Sequence, residues 1–204
     1  MIPYRLNPFG ISARPYKREL AYMEGTGTQW IDTLTVCSGN VIKVTGNVLV
    51  PQSTGYLNAI LGSWDGSNRS CMLFEEAGFL RYDVGKSANM LKVTLATNVK
   101  ASFSYTTDNT TNIYDAVINS TVYSGSYSGV NGNNRSLYLF SINHASATYI
   151  GKMRIYDIKI VIDNAAVIDF IPVIDNNDIP CMYDRVSKQL FYNQGTGQFL
   201  YGEK

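Results

Sequence analysis

Lys152-Met-Arg-Ile-Tyr-Asp-Ile-Lys-Ile-Val-Ile162 is the segment whose reading decides the fold. It holds no glycine or proline, is dense in β-branched side chains, and interleaves charged with apolar residues, as a strand with one face in a core must. Asp163-Asn164 is turn chemistry, and Val167-Ile-Asp-Phe-Ile171 returns as a second strand that Pro172 is expected to close. Outward from this hairpin the same pattern recurs. Toward the N-terminus lie Ser136–Phe140, Thr121–Tyr123, Ile113–Ile118, Lys100–Tyr105 and Leu91–Leu95. Cys71–Phe74 and Phe79–Tyr82 bracket Glu75–Gly78 as another hairpin, and Tyr56–Leu61 runs into the turn-rich loop 62–69. Trp30–Val36, Val41–Thr45 and Asn47–Val50 open the series, the last two divided by Gly46. Tyr183, Leu190–Tyr192 and Gln198–Tyr201 complete it. No segment holds a helical period long enough for a helix. The chain reads as an all-β sandwich or barrel.

Composition narrows the partners. Only 16% of the 204 residues are charged, the net charge is +1, and there are 15 tyrosines. A surface covered by Ser, Thr, Asn and Tyr hydroxyls suits sugars or neighbouring subunits better than phosphates. It gives no electrostatic footprint for nucleic acid or an acidic membrane. Three widely spaced cysteines, Cys37, Cys71 and Cys181, read as small buried hydrophobes rather than as a disulfide framework or a zinc site.

Residues 1–18 differ from the rest. Pro3, Pro8 and Pro15 interrupt regular structure, and Arg5, Arg14, Lys17 and Arg18 make the segment basic. Its apolar residues, among them Tyr4, Leu6 and Phe9, are too many for a solvated tail. It serves either as a strap over its own domain or as an arm docking on another subunit, with Tyr4, Leu6, Phe9 and Arg14 as contacts. The opening residues lack the apolar core of a secretory signal, so synthesis in a cytoplasm is expected. Residues 19–204 form the domain proper.

Glu19-Leu-Ala-Tyr-Met-Glu-Gly-Thr-Gly-Thr-Gln-Trp-Ile-Asp-Thr33 resembles the opening motif of laminin-G-like, concanavalin A-like domains common in gut-bacterial surface proteins and in phages or prophages. It departs from their pattern at Gly25, where Ser is usual, and at Trp30, where Tyr is usual. Leu137–Phe140, Lys152–Ile160, Asp169-Phe-Ile-Pro172, Met182–Val186 and Phe191–Gly197 follow the family's later landmarks in order. The resemblance implies a concanavalin A-like jelly-roll sandwich of two antiparallel sheets with its first and last strands adjacent. Gly25-Thr-Gly27 and Gly195-Thr-Gly197 give that pairing a physical reason, since glycines allow two backbones to approach.

For chemistry, the glucanase-type strand that sets two carboxylates on one face is missing. Glu75 and Glu76 are adjacent and point apart, while Asp157 and Asp169 have no partner in the pattern. His144, the single histidine, reads as a solvated loop residue. Calcium would find its oxygen ligands at Asp175 and Asp178, although an ordinary Asx-rich turn is the better reading of that loop. Two surfaces are candidates for a ligand. The first gathers Trp64, Asp65, Arg69, Arg81 and Tyr82 as an aromatic platform flanked by carboxylate and guanidinium groups. The second is the Tyr/Ser/Gly/Asn loop 123–134, with Tyr123 and Tyr127 as its rings. The expected function is a non-catalytic phage or prophage virion component, in a capsid or tail, presenting a glycan-binding lectin-like sandwich and held in a homo-oligomer or larger assembly by its arm. A bacterial cell-surface carbohydrate-binding module is the alternative, and a glycoside hydrolase the third reading.

Overall fold

A computed structural model describes residues 14–53 and 56–204. Among them are eighteen strands and no helix. In chain order the strands are β1 (Tyr16–Glu24), β2 (Ile31–Val36), β3 (Val41–Leu49), β4 (Leu57–Trp64), β5 (Arg69–Glu76) and β6 (Phe79–Gly85). Next come β7 (Ser87–Thr94), β8 (Ala101–Asp108), β9 (Ile113–Ile118), β10 (Thr121–Ser126), β11 (Ser136–Leu139) and β12 (Ile142–Asn143). The last are β13 (Ala147–Thr148), β14 (Arg154–Ile162), β15 (Ala165–Asp175), β16 (Pro180–Asp184), β17 (Gln189–Phe191) and β18 (Leu200–Glu203). The larger sheet runs β10-β9-β8-β3-β14-β1-β15-β16-β17, with β18 paired to β1. The smaller runs β13-β12-β4-β5-β6-β7, and β11 joins β4 to β2. Apart from single parallel pairings of Asn143 with Ser63 and of Ala59 with Ile150, every ladder is antiparallel.

The deciding hairpin forms as its sequence requires. Asp163 and Asn164 take φ of 47° and 68°, the doubly left-handed turn that matches strand twist, and Ile162 pairs with Ala165. Ile155, Ile158 and Ile160 all enter the core. A spacing of three would ordinarily send Ile155 and Ile158 to opposite faces. A register slip between Ile155 and Asp157 against β3 restores them to one face. Gly46 lies opposite Ile158, next to this bulge, where a Cβ would lie 2.7 Å from the Asp157 carbonyl oxygen and 2.9 Å from the Phe103 ring. It therefore does not divide two strands: β3 runs through it, because its bare backbone admits the bulge. Pro172 does not end its strand either. β15 passes from β14, its partner up to Phe170, to β1, its partner from Val173, and the proline stands at that change of neighbour, where a missing N–H costs no ladder bond.

Between the sheets lies one apolar core. Ile42, Val44, Val48, Phe103 and Tyr105 meet Leu61, Leu73, Leu80 and Tyr82 from the other side. Tyr82 and Tyr105 stack at 4.3 Å across the interface. Strand β18 pairs with β1. Beyond that ladder Gly195-Thr-Gly197 runs close against Thr28–Trp30, whereas Gly25 and Gly27 give their close approach to Gly151 and Lys152 instead. Thr196 N donates to Thr28 O, Gln194 N to Trp30 O, and a Cβ on Gly195 would fall 2.0 Å from the Thr28 carbonyl oxygen. The boundary expected at residue 18 lies inside β1, which starts at Tyr16. Tyr4, Leu6 and Phe9 lie outside the described residues, and Arg14 is exposed just ahead of β1.

Candidate functional site

Strand β5 sends Cys71 and Leu73 inward, so Met72 and Phe74 face out of the smaller sheet. Across the ladder Phe74 lies opposite Ala59 on β4 and Arg81 on β6, and Met72 opposite Asp83. Ile142 lies over half of this outer face. With Ala59, Met72 and Phe74 it makes a small apolar cluster separate from the main core, rimmed by Leu57 and Trp64. Two aromatic contacts hold the covering segment down. Tyr149 meets Phe74 edge-on at 6.0 Å, and His144 stacks on Trp64 at 4.3 Å.

The other half carries a charged network. Arg81 grips Asp83 through one guanidinium edge, Nε at 2.8 Å and Nη2 at 2.5 Å. This fork fits a carboxylate and keeps the guanidinium charged. Asp83 is 1% exposed, and Arg69 Nε stands 3.8 Å from the same carboxylate. Arg81 reaches Glu76 at 3.4 Å, and Lys92 binds Glu76 at 2.9 Å, which holds the Glu76 carboxyl below its usual range. Guanidinium and ammonium groups also cover rings: Arg69 at 5.2 Å from the Trp64 centroid, Arg81 at 5.6 Å from Phe74, and Lys92 at 4.9 Å from Phe79. Tyr149 remains 43% exposed. Here apolar ring surface and fixed hydrogen-bonding charges lie side by side. Such a face can meet the C–H side and the hydroxyls of a sugar together.

Of the residues expected from sequence, Trp64, Arg69 and Arg81 come together here. Asp65 begins the adjoining loop, where its carboxylate accepts the Ser67 and Asn68 amides at 2.7 Å each. The bonds from Asn68 and Ser67 draw its pKa down. Tyr82 must be removed from the site: Arg81 faces out, so its neighbour faces in and is fully buried. Tyr127 is also buried, its hydroxyl bonded to Asn109 and pushed up to about 12 by burial. Tyr123 lies on β10 of the larger sheet, half-buried against the main core. Sequence reasoning missed Phe74, Glu76, Lys92 and Tyr149, and took His144 for a solvated residue. Cross-strand pairing of β6 with β7 was the signal for Lys92, which lies opposite Arg81.

The calcium candidates are otherwise engaged. Asp175 receives the Asn177 and Ile179 amides and the Tyr192 hydroxyl, and Asp178 pairs with Lys17. Burial pushes the Asp175 carboxyl up, but these donors outweigh it and hold it low. Amides aimed at a carboxylate occupy the lone pairs a cation would need, so this loop is an Asx turn. Among the described residues no three His, Cys, Asp or Glu side chains gather as metal ligands. Asp157 is held by Asn47 and Asp169 by Arg185. Glu75, buried, accepts from Asn58, Ser53 and the Gly78 amide. Loop 127–134 frames a separate concavity of about 210 Å³ lined by Ser38, Asn109, Asn131, Asn133 and Asn134.

In its course the chain is similar to a candidate carbohydrate-binding protein of Bacteroides ovatus. The TM-score is 0.66 at 10% identity, over 92% of this chain and 61% of that one. It is also similar to domains LG4-5 of the mouse laminin alpha1 chain, with a TM-score of 0.52 at 12% identity over 76% and 45%. NanB with Optactamide gives 0.54 at 16% identity over 72% and 26%. The fold is a laminin-G-like, concanavalin A-like sandwich. No protein-family model matches the sequence of this sandwich, and no curated protein does. The chain spans 61% of the Bacteroides protein and under half of the other two.

Proposed function

We propose that this sandwich is a non-catalytic, lectin-like module that binds a neutral glycan on the outer face of its smaller sheet. The observation that carries the reading is the meeting there of the exposed Tyr149 ring and the Trp64–His144 stack with the partly exposed Lys92 ammonium. The Bacteroides ovatus candidate carbohydrate-binding protein, of the same fold, supports it. The non-catalytic part rests on the carboxylates. On this face the two carboxylates, Asp83 and Glu76, are each tied to a cation, Arg81 and Lys92, whereas hydrolysis needs a carboxyl pair free to meet substrate. Display on a virion or a bacterial surface rests on the family resemblance and on the Pro-rich, basic arm of residues 1–18.

The test is a glycan array with the full chain, followed by calorimetric titration of the best ligand. Tyr149→Ala should weaken binding about tenfold, the equivalent of one aromatic contact, while loss of its edge contact with Phe74 lowers the melting temperature by only a few degrees. Lys92→Ala should act in the same direction. Binding that ignores both substitutions, or an array without a hit, would sink the reading. Release of reducing sugar from any bound glycan would overturn its non-catalytic part.

A further inference from the structure

Cys37 and Cys71 are 34 positions apart, yet the fold sets their sulfurs 3.1 Å from each other, both fully buried. Cys37 directly follows β2. Cys71 lies at a bulge of β5, where register with β6 slips between Arg69 and Met72 and the cysteine takes φ of 49°. Two residues of one loop lock this arrangement. Asn131 Oδ1 accepts the Cys71 amide at 2.9 Å and lies 3.7 Å from its sulfur. Gly132 packs on the Cys37 carbonyl so closely that a Cβ would stand 2.8 Å from its oxygen. A disulfide needs sulfurs at about 2.05 Å, so closure asks each side chain for a shift of roughly half an ångström. Cys181 sits elsewhere, in a small cluster with Tyr16, Val173 and Tyr183 on the larger sheet.

We propose that Cys37 and Cys71 form a disulfide when the domain folds in an oxidising compartment, and that Cys181 stays a thiol. The oxidant is a disulfide of the glutathione class. One cysteine thiolate attacks it, forming a mixed disulfide and releasing one glutathione thiolate. The second cysteine thiolate then attacks the mixed disulfide, closing the Cys37–Cys71 bond and releasing another glutathione. Two protons and two electrons pass from the protein to the two glutathione sulfurs. Exchange belongs to folding rather than to the finished domain, because neither sulfur meets solvent afterwards. In the reduced fold the contact with Cys71, reinforced by burial, keeps the Cys37 thiol protonated and inert. The link would tie the β2–β3 connection to β5 beneath the Asn131–Asn134 concavity.

The experiment refolds the full chain from denaturant in mixed oxidised and reduced glutathione, alkylates under denaturing conditions, and reads intact mass and a peptide map. The expected product carries one alkylated cysteine, Cys181, and a Cys37–Cys71 linked peptide. It should melt about 10 °C above the reduced chain, from the loop entropy removed and the usual relation of stability to melting temperature. Cys181→Ser should form the same link, and Cys37→Ser none. Alkylation at all three cysteines, or a link that uses Cys181, overturns the proposal.

Discussion

Asn131 ought to be among the costliest single side chains to remove from this molecule, and the structure says why. Its amide is fully buried and spans the sandwich. Nδ2 donates to Thr107 Oγ1 of β8 at 2.6 Å and to the Tyr82 hydroxyl of β6 at 3.3 Å, while Oδ1 accepts the Cys71 amide of β5. Asn131→Ala deletes these three bonds and the weaker contact from the Cys71 sulfur at once. The Thr107 hydroxyl keeps its bond to the Ile42 carbonyl, so its loss is modest. The Cys71 N–H is the expensive residue of the change, a buried donor left without an acceptor, which costs about 1–3 kcal/mol. Two further lost bonds add about 1 kcal/mol each, for a total of about 3–5 kcal/mol. A domain of ordinary stability has about 5–15 kcal/mol in all. Urea titration with the cysteines kept reduced should therefore show a midpoint lowered by about 1–1.7 M at unchanged slope, for a slope of about 3 kcal/mol per M. Tyr82→Phe calibrates the cycle. It should cost about 1 kcal/mol alone and less in the Asn131→Ala background, because the two side chains share a bond. A loss below about 1 kcal/mol for Asn131→Ala, or strict additivity with Tyr82→Phe, would refute this account of the inter-sheet amide.

Two other perturbations test parts of the same scaffold. Asp184 is buried; burial raises its carboxyl pKa, but the amides of Ser187, Asp169 and Val186 outweigh this and hold it below the unfolded value of about 3.9. Between those two values the unfolded chain binds the proton more readily, so stability rises with pH. The contribution is complete above the unfolded pKa and is lost as pH falls through the folded one. Urea midpoints measured down an acid series should thus fall more steeply for the native chain than for Asp184→Asn, and parallel profiles would contradict the assignment. Gly195→Ala places a methyl against the Thr28 carbonyl, so one backbone must move and the pairing of residues 193–196 with 28–30 suffers. A melting curve should report a loss of about 2–3 kcal/mol. Gly78→Ala, at φ of 88° but in open space, should lose only about 1 kcal/mol. Equal losses at the two glycines would show that the close approach of the terminal segments is not what Gly195 provides.

Much of the architecture was legible because each device is local. A two-residue Asp-Asn turn, a run of β-branched residues and a Gly-Thr-Gly at each end leave marks that a few neighbouring positions suffice to read. The departures share one cause. At Gly46 and at Ile155–Asp157 a bulge moves the alternation by one, and a bulge is a property of two strands together, visible only when the partner is known. The same limit governs the candidate site. Arg81 and Tyr82 are adjacent in sequence and were grouped, but a strand divides neighbours between its faces, sending one to the charged network and the other to the core. Arg81 instead gains Lys92, eleven positions on, through the β6–β7 register, and Trp64 gains His144 through a covering segment eighty positions away. Cys37 and Cys71 follow the same rule, since spacing alone makes them two unrelated hydrophobes while the bulge at Cys71 brings their sulfurs into contact. In this sandwich the residues with the most chemistry to offer are joined by cross-strand and loop contacts. Their grouping is therefore a consequence of the fold and becomes readable only after the strands have been paired.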